Sequence, residues 1–197
     1  MSQSQSCDNQ AALPRIEGER GATLIEAVLF TVIALGFITG GVVLFEQASS
    51  SSRTNEIIRM LSSLQSQVRA LFQSQSDFGT ADMASLLIAS NAVPSAFQTD
   101  SDSDGTNDAL VSPFGGTVTV TGASANFTIA VADVPVAICS RIAPFDGNGN
   151  GTIGSGIISL SDGTATDSDG MNSAQAATFC TTNASGGNVS LTWTLSR

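Results

Sequence analysis

The sequence predicts an α+β chain, with one long N-terminal helix laid on an antiparallel sheet and short helices in the connections. Three observations carry this. Ala22 to Phe45 is a run of twenty-four residues in which Glu26 is the only charged one. Directly after it, Ile57, Leu61, Leu64, Val68 and Leu71 recur at four and three residues, the stripe of an amphipathic helix. The later part of the chain then alternates apolar and polar residues in runs such as GTVTVT at 116–121 and VSLTWTL at 189–195, the period of a half-buried strand.

Composition narrows the function classes. The 197 residues suffice for one domain plus an anchor. Charged residues make up 12% of the chain, lysine is absent, and all seven basic residues are Arg. A net charge of −10 argues against a nucleic-acid binder, which needs a basic footprint, and no local basic patch is evident. Histidine is absent, which removes the commonest general base and zinc ligand. No Ser or Asp has an obvious activating partner, so no catalytic constellation is read and no enzyme is expected.

Residues 1–21 are polar, contain Pro14, and end in the mixed charges Arg15, Glu17, Glu19 and Arg20. This is not a secretory signal, because the apolar region follows instead of lying inside the segment. The Arg residues beside the apolar run favour cytoplasmic retention of the leader, with the C-terminus outside. The run itself is long enough as a helix to cross a bilayer core of about 30 Å. A carboxylate at the centre of such a helix costs roughly 2.5–3.5 kcal/mol on insertion scales, and less near an end, where Glu26 lies. Glu26 is therefore either a tolerated interfacial residue of a single-pass anchor or a group with a partner that a lone anchor does not supply. Gly36, Gly40 and Gly41 allow close helix–helix approach, or weaken the helix by about 1 kcal/mol each relative to Ala.

The stretch Arg20-Gly21-Ala22-Thr23-Leu24-Ile25-Glu26, leading into an uninterrupted apolar helix, resembles the processing site of type IV prepilins. Further matches to type IVb major pilins are SQVRALF at 66–72, AVPSA at 92–96, FGGTVTV at 114–120 and LTWTL at 191–195. The long leader also looks like the type IVb kind. The resemblance implies that a prepilin peptidase cuts between Gly21 and Ala22 and methylates the new N-terminus, with Glu26 fifth in the mature chain. It implies that Glu26 pairs with the N-terminal amine of a neighbouring subunit, and that the chain forms a homopolymer with the help of pilus assembly machinery. The precursor is then expected in the inner membrane and the mature chain in an extracellular pilus supporting adhesion, aggregation, motility or DNA transfer. In such filaments part of this helix loses its helical hydrogen bonding, and the Gly36–Gly41 cluster is the candidate place. Two alternatives share features with this reading: a minor pilin or type II secretion pseudopilin, and a membrane-anchored calcium-binding adhesive domain that never polymerises.

The expected organisation is a leader at 1–21, a long helix at 22–73 whose apolar part is 22–45, and a globular head at 74–197. The stripe from Ile57 to Leu71 belongs either to a free coiled-coil stalk or to a helix half covered by the head, which is the expectation here; Arg53, Glu56, Arg59 and Arg69 mark its polar face. A short helix is expected at Ala81–Ser90, before Pro94. Strands are expected at 116–121, 126–132, 156–160 and 189–195. Asp133-Val134-Pro135 reads as a helix start, with Asp as cap and Pro in the first turn. This places Cys139 on a short helix, and SAQAATFC at 173–180 reads as another. Cys7 leaves with the leader. Cys139 and Cys180 remain as an even pair outside the membrane, where a bridge is favoured over two buried free thiols.

Two loops have ligand-like spacing. Asp100, Asp102, Asp104 and Asp108 occupy positions 1, 3, 5 and 9 of a calcium-type loop, with Gly105 at 6 and Thr106 at 7 to offer its carbonyl. Val111 stands where such loops carry a bidentate Glu. Calcium is the expectation, against a merely solvated acidic loop. Asp146, Asn148 and Asn150 repeat the spacing with one carboxylate and two amides, as either a weak second site or a Gly-Asn turn.

Overall fold

The computed structural model of the chain describes residues 24–197. The expected leader and the Gly21–Ala22 bond lie outside them. The chain divides into two compact units, one ending at Leu44 and one spanning Phe45–Arg197.

Helix α1 runs Leu24–Leu71 over 48 residues. It stays α-helical through Gly36, Gly40 and Gly41, so these glycines do not interrupt the helix of the single chain. Leu24–Val42 is apolar enough to span a membrane, with a mean hydropathy of 2.0. Its hydroxyls are satisfied locally: Thr31 Oγ1 donates to the Val28 carbonyl at 2.8 Å, and Thr39 Oγ1 to that of Leu35 at 3.0 Å. That is how a helix carries Thr into an apolar medium without a stranded donor.

Within Phe45–Arg197 the helix supplies one wall of the core. Ile57, Leu61, Leu64 and Val68 are fully buried and Leu71 is half-buried, as the stripe predicts. The amphipathic half of α1 shares this core, so the compact unit that contains it spans Phe45–Arg197.

The other wall is a seven-stranded sheet in which every pairing is antiparallel. After α2 (Ala84–Ala89) come β1 (Gln98–Thr99), β2 (Ala109–Val111), β3 (Thr117–Ala123) and β4 (Asn126–Pro135). Then follow α3 (Val136–Ile142), β5 (Ile157–Ser161), β6 (Thr166–Asp167), α4 (Ser173–Thr182) and β7 (Asn188–Ser196). The spatial order is β1-β2-β3-β4-β7-β5-β6, so the last strand to be made sits inside the sheet. Alternation puts Val118 and Val120, Phe127, Ile129 and Val131, and Leu191, Trp193 and Leu195 on the core face. Register aligns them in rows: Val120 opposite Ile129, and Ile129 opposite Trp193.

Two expectations need correction. The residues 133–135 do not start a helix. They continue β4 through an irregularity between Val131 and Val134, where Asp133 takes φ 55°, and Pro135 pairs opposite Asn188. Pro135 has φ −58° and ψ 137°, extended backbone that proline accepts, so α3 begins only at Val136 and has no side-chain cap. The helix expected at 81–90 is shorter, because its first turn is recruited by the sheet. Asp82 bridges Thr121, and the Met83 N–H donates to the Val120 carbonyl at 2.8 Å.

Candidate functional site

The first functional element is the apolar helix itself. Leu24–Leu44 presents Leu24, Ile25, Leu29, Phe30 and Phe37 to its surroundings, with Phe37 79% exposed. Ile25, Val28, Leu29 and Val32 fall at i, i+3, i+4 and i+7 and form one apolar face beside Glu26. An exposed apolar surface of this extent marks a site of interaction with a membrane or with other helices.

The second element is the bridge. Cys139 on α3 and Cys180 on α4 are joined, with a Cα–Cα distance of 6.0 Å and both residues fully buried. Helix α4 is started by a capping box: the Asn172 side chain accepts from the N–H groups of Ala174 and Gln175, and Gln175 Oε1 accepts from the Asn172 N–H.

The third is the acidic loop between β1 and β2. One carboxylate oxygen from each of Asp100, Asp102 and Asp104 lies within 4.8 Å of the others. Backbone N–H groups brace them: that of Gly105 donates to Asp100 at 2.7 Å and that of Thr106 to Asp104 at 2.7 Å. The Gly105 N–H is the main cause that holds the Asp100 carboxyl below the ordinary range. Asp108 is not in this cluster. Its carboxylate accepts from the N–H and Oγ of Ser101, both at 2.8 Å, and the Ser101 N–H lowers its pKa most. Three carboxylates that close can supply three of the six to eight oxygens that a hard cation such as calcium takes.

The loop at 146–151 closes on itself instead. Asp146 accepts from the N–H of Asn148 at 2.9 Å, the N–H of Asn150 at 2.8 Å and the Asn150 side-chain amide. These bonds, that of the Asn150 N–H foremost, pull the Asp146 carboxyl down. The turn reading describes its geometry. With Asp169 and the start of α4 it borders an open depression of about 600 Å³.

Sequence reasoning missed the residues that tie α1 to the sheet. Arg69, expected on the polar face, donates through Nη2 to the carbonyls of Ser155 at 2.7 Å and Ser196 at 2.9 Å. Ser62 Oγ donates to the Ile153 carbonyl at 2.9 Å, and the buried Gln65 amide donates to that of Ser155. Gly154 has φ 138°, and a Cβ there would collide with the Gln65 amide. Arg197 donates to the carbonyls of Phe72, Gln73 and Gln75, at 3.2 and 3.0 Å for the first two. These carbonyls lie just past the C-terminal end of α1, and that of Phe72 also accepts from the Gln75 N–H at 3.1 Å. An Arg at the last helical turn and another at the chain end were the available signals.

Comparison with known proteins agrees with this architecture. The family model described as Bundlin matches residues 46–196. Two curated relatives are each described as the major structural subunit of bundle-forming pilus, one from Escherichia coli O127:H6 (strain E2348/69 / EPEC) and one from Escherichia coli O111:H-. Each is 27% identical over 108 residues, which is 55% of this chain and 53% of the relative. The chain thus spans about half the length of the curated relatives it matches. The crystal structure of type IV b pilin from Salmonella typhi shares the fold, with a TM-score of 0.56 at 18% identity over 73% of this chain and 99% of that one. With a family match over most of its length and a head of this fold, the chain belongs to the Bundlin family.

Proposed function

We propose that the chain is the precursor of a structural, non-catalytic subunit of a type IVb-like pilus. A prepilin peptidase cuts at Gly21–Ala22, and the mature chain leaves the inner membrane for an extracellular homopolymer. One observation carries this: a membrane-length apolar surface, Leu24–Val42, belongs to the same helix whose later residues complete the core of a Bundlin-type head. A surface of that kind is stable in lipid before assembly and among like helices afterwards. Shearing filaments from producing cells and measuring the intact mass of their main protein tests it. A mass corresponding to Ala22–Arg197 plus one methyl group is expected. A chain that keeps its first 21 residues refutes the processing, and filaments in which it is a trace component favour a minor subunit.

We further propose that the Asp100, Asp102 and Asp104 cluster takes calcium, on the strength of its convergent carboxylates. The loop lacks a bidentate Glu at its twelfth position, so affinity on the order of 10⁻⁴–10⁻³ M is expected, filled outside cells and empty within. Calcium is expected to raise the melting temperature of the wild-type chain relative to chelator, and not that of the Asp102→Ala, Asp104→Ala variant. Equal melting temperatures in the wild type leave only a solvated acidic loop.

A further inference from the structure

The head carries an apolar groove that the fold itself leaves empty. It is bordered by Phe45, Ser49 and Arg53 of α1 and by Phe114, Ala137 and Ile138, and measures about 280 Å³. Arg53 is the one charged residue among the described residues lining it. Glu56, one turn further along α1, borders a different depression together with Arg59.

We infer that this groove seats the tip of the N-terminal helix of a second copy of the chain, with Arg53 meeting Glu26 of that copy. The inference rests on the filament reading above and names where one contact of the filament is made. The occupant follows from complementarity in both shape and charge. The tip offers a narrow apolar face, Ile25, Val28, Leu29 and Val32, with Glu26 on the same surface. The groove offers apolar walls with one cation. Outside a membrane the tip needs cover, since each fully buried Ile, Val or Leu side chain stabilises by roughly 1.5–3 kcal/mol. Glu26 needs a cation, because a carboxylate left unpaired in an apolar contact is costly. Its two oxygens can accept both from Arg53 and from a neighbouring N-terminal amine, so the two pairings coexist.

The stoichiometry also fits. Every chain has one groove and one tip, and they are different surfaces. A contact between unlike surfaces of identical copies is heterologous and propagates into an open polymer instead of closing into a dimer. A peptide from an unrelated protein would match the apolar walls equally well, but would not by itself account for a matched lone charge in every copy.

The test is cysteine cross-linking in filaments made by producing cells. The Ile25→Cys, Ser49→Cys pair is expected to give a ladder of covalent oligomers after mild oxidation, and Ile25→Cys, Ser63→Cys to stay monomeric. If the Ile25→Cys, Ser49→Cys variant fails to assemble, Leu29→Cys, Ala137→Cys replaces it with the same readout. Arg53→Glu is expected to lower filament yield at least tenfold at unchanged cellular amounts of the chain, with Arg53→Lys retaining most of it. Filaments assembled from the groove-pair variants that give no ladder, or normal filament yield from Arg53→Glu, overturn this inference alone. A wild-type chain that forms no filaments overturns the filament reading and this inference with it.

Discussion

At the scale of single residues, Asp162 shows how a buried charge is kept. It is 9% exposed, at the turn between β5 and β6. Burial pushes its carboxyl up, but the N–H of Ala165 at 2.7 Å, the Asn183 amide at 2.7 Å and the N–H and hydroxyl of Thr164 together outweigh it, so the pKa lies below the ordinary value. A carboxyl whose folded pKa is depressed stabilises the fold above its unfolded pKa and ceases to do so as pH falls through the folded one. The Asp162 contribution is thus complete above about pH 5 and fades below the ordinary Asp value of about 3.9. Asp162→Asn is expected to lower stability at pH 7 and to flatten the loss between pH 5 and pH 2. Urea titrations of a Phe45–Arg197 fragment across that range check this, and parallel curves for the two forms contradict it. The Asn183 partner is 21 residues away, so nothing local in the sequence marks the pair.

Among the elements, α3 and α4 depend most on one covalent bond. Both are short, 7 and 10 residues, and isolated helices of that length are marginal in water. The Cys139–Cys180 bridge closes a segment of separation 41 that contains the Gly-rich loop at 146–151. Loop-closure arguments give about 4 kcal/mol for a loop of that length, a model-dependent figure. Cys139→Ser, Cys180→Ser is expected to lose a similar amount in denaturant unfolding, with α3 and α4 losing amide-exchange protection first. Uniform loss across the sheet would show that the bridge acts on the whole head. The strand β4 teaches a second lesson at this scale. Asp133 and Pro135 look like a helix start, yet Val134 and Pro135 pair with β7, and Asp133 sits at the irregularity before them with φ 55°.

For the whole molecule, the contrast is between a head with a closed core and a helix whose apolar surface is unburied. Glu26→Ala is expected to leave head stability unchanged, because Glu26 lies outside the Phe45–Arg197 unit and its core. Filament yield is expected to fall sharply, because the variant loses the proposed pairing of the carboxylate with cations of neighbouring subunits. Counting filaments on cells producing equal amounts of wild-type and variant chain decides this, and normal piliation refutes a pairing role for Glu26.

The sequence by itself determined the elements whose signal is local. The apolar run, the stripe from Ile57 to Leu71 and the alternation in β3, β4 and β7 are periodicities, and burial in any fold must respect them. The cysteine bridge, although it joins residues 41 apart, was legible for a different reason: only two cysteines remain in the described chain, which leaves one possible pairing. What only the tertiary structure decided are pairings between residues far apart in the chain. The sheet order places β7 between β4 and β5, and no residue in β7 names its neighbours. Arg197 reaches the Phe72 carbonyl across 125 residues, and Gln65 meets Ser155 across 90. Such contacts form where the folded backbone brings a donor to a carbonyl with accepting capacity left, a condition set by three-dimensional proximity and not by spacing along the chain. The acidic loop falls between the two cases. Its spacing announced the approach of Asp100, Asp102 and Asp104, whereas the diversion of Asp108 to Ser101 emerged only from the path of the folded backbone.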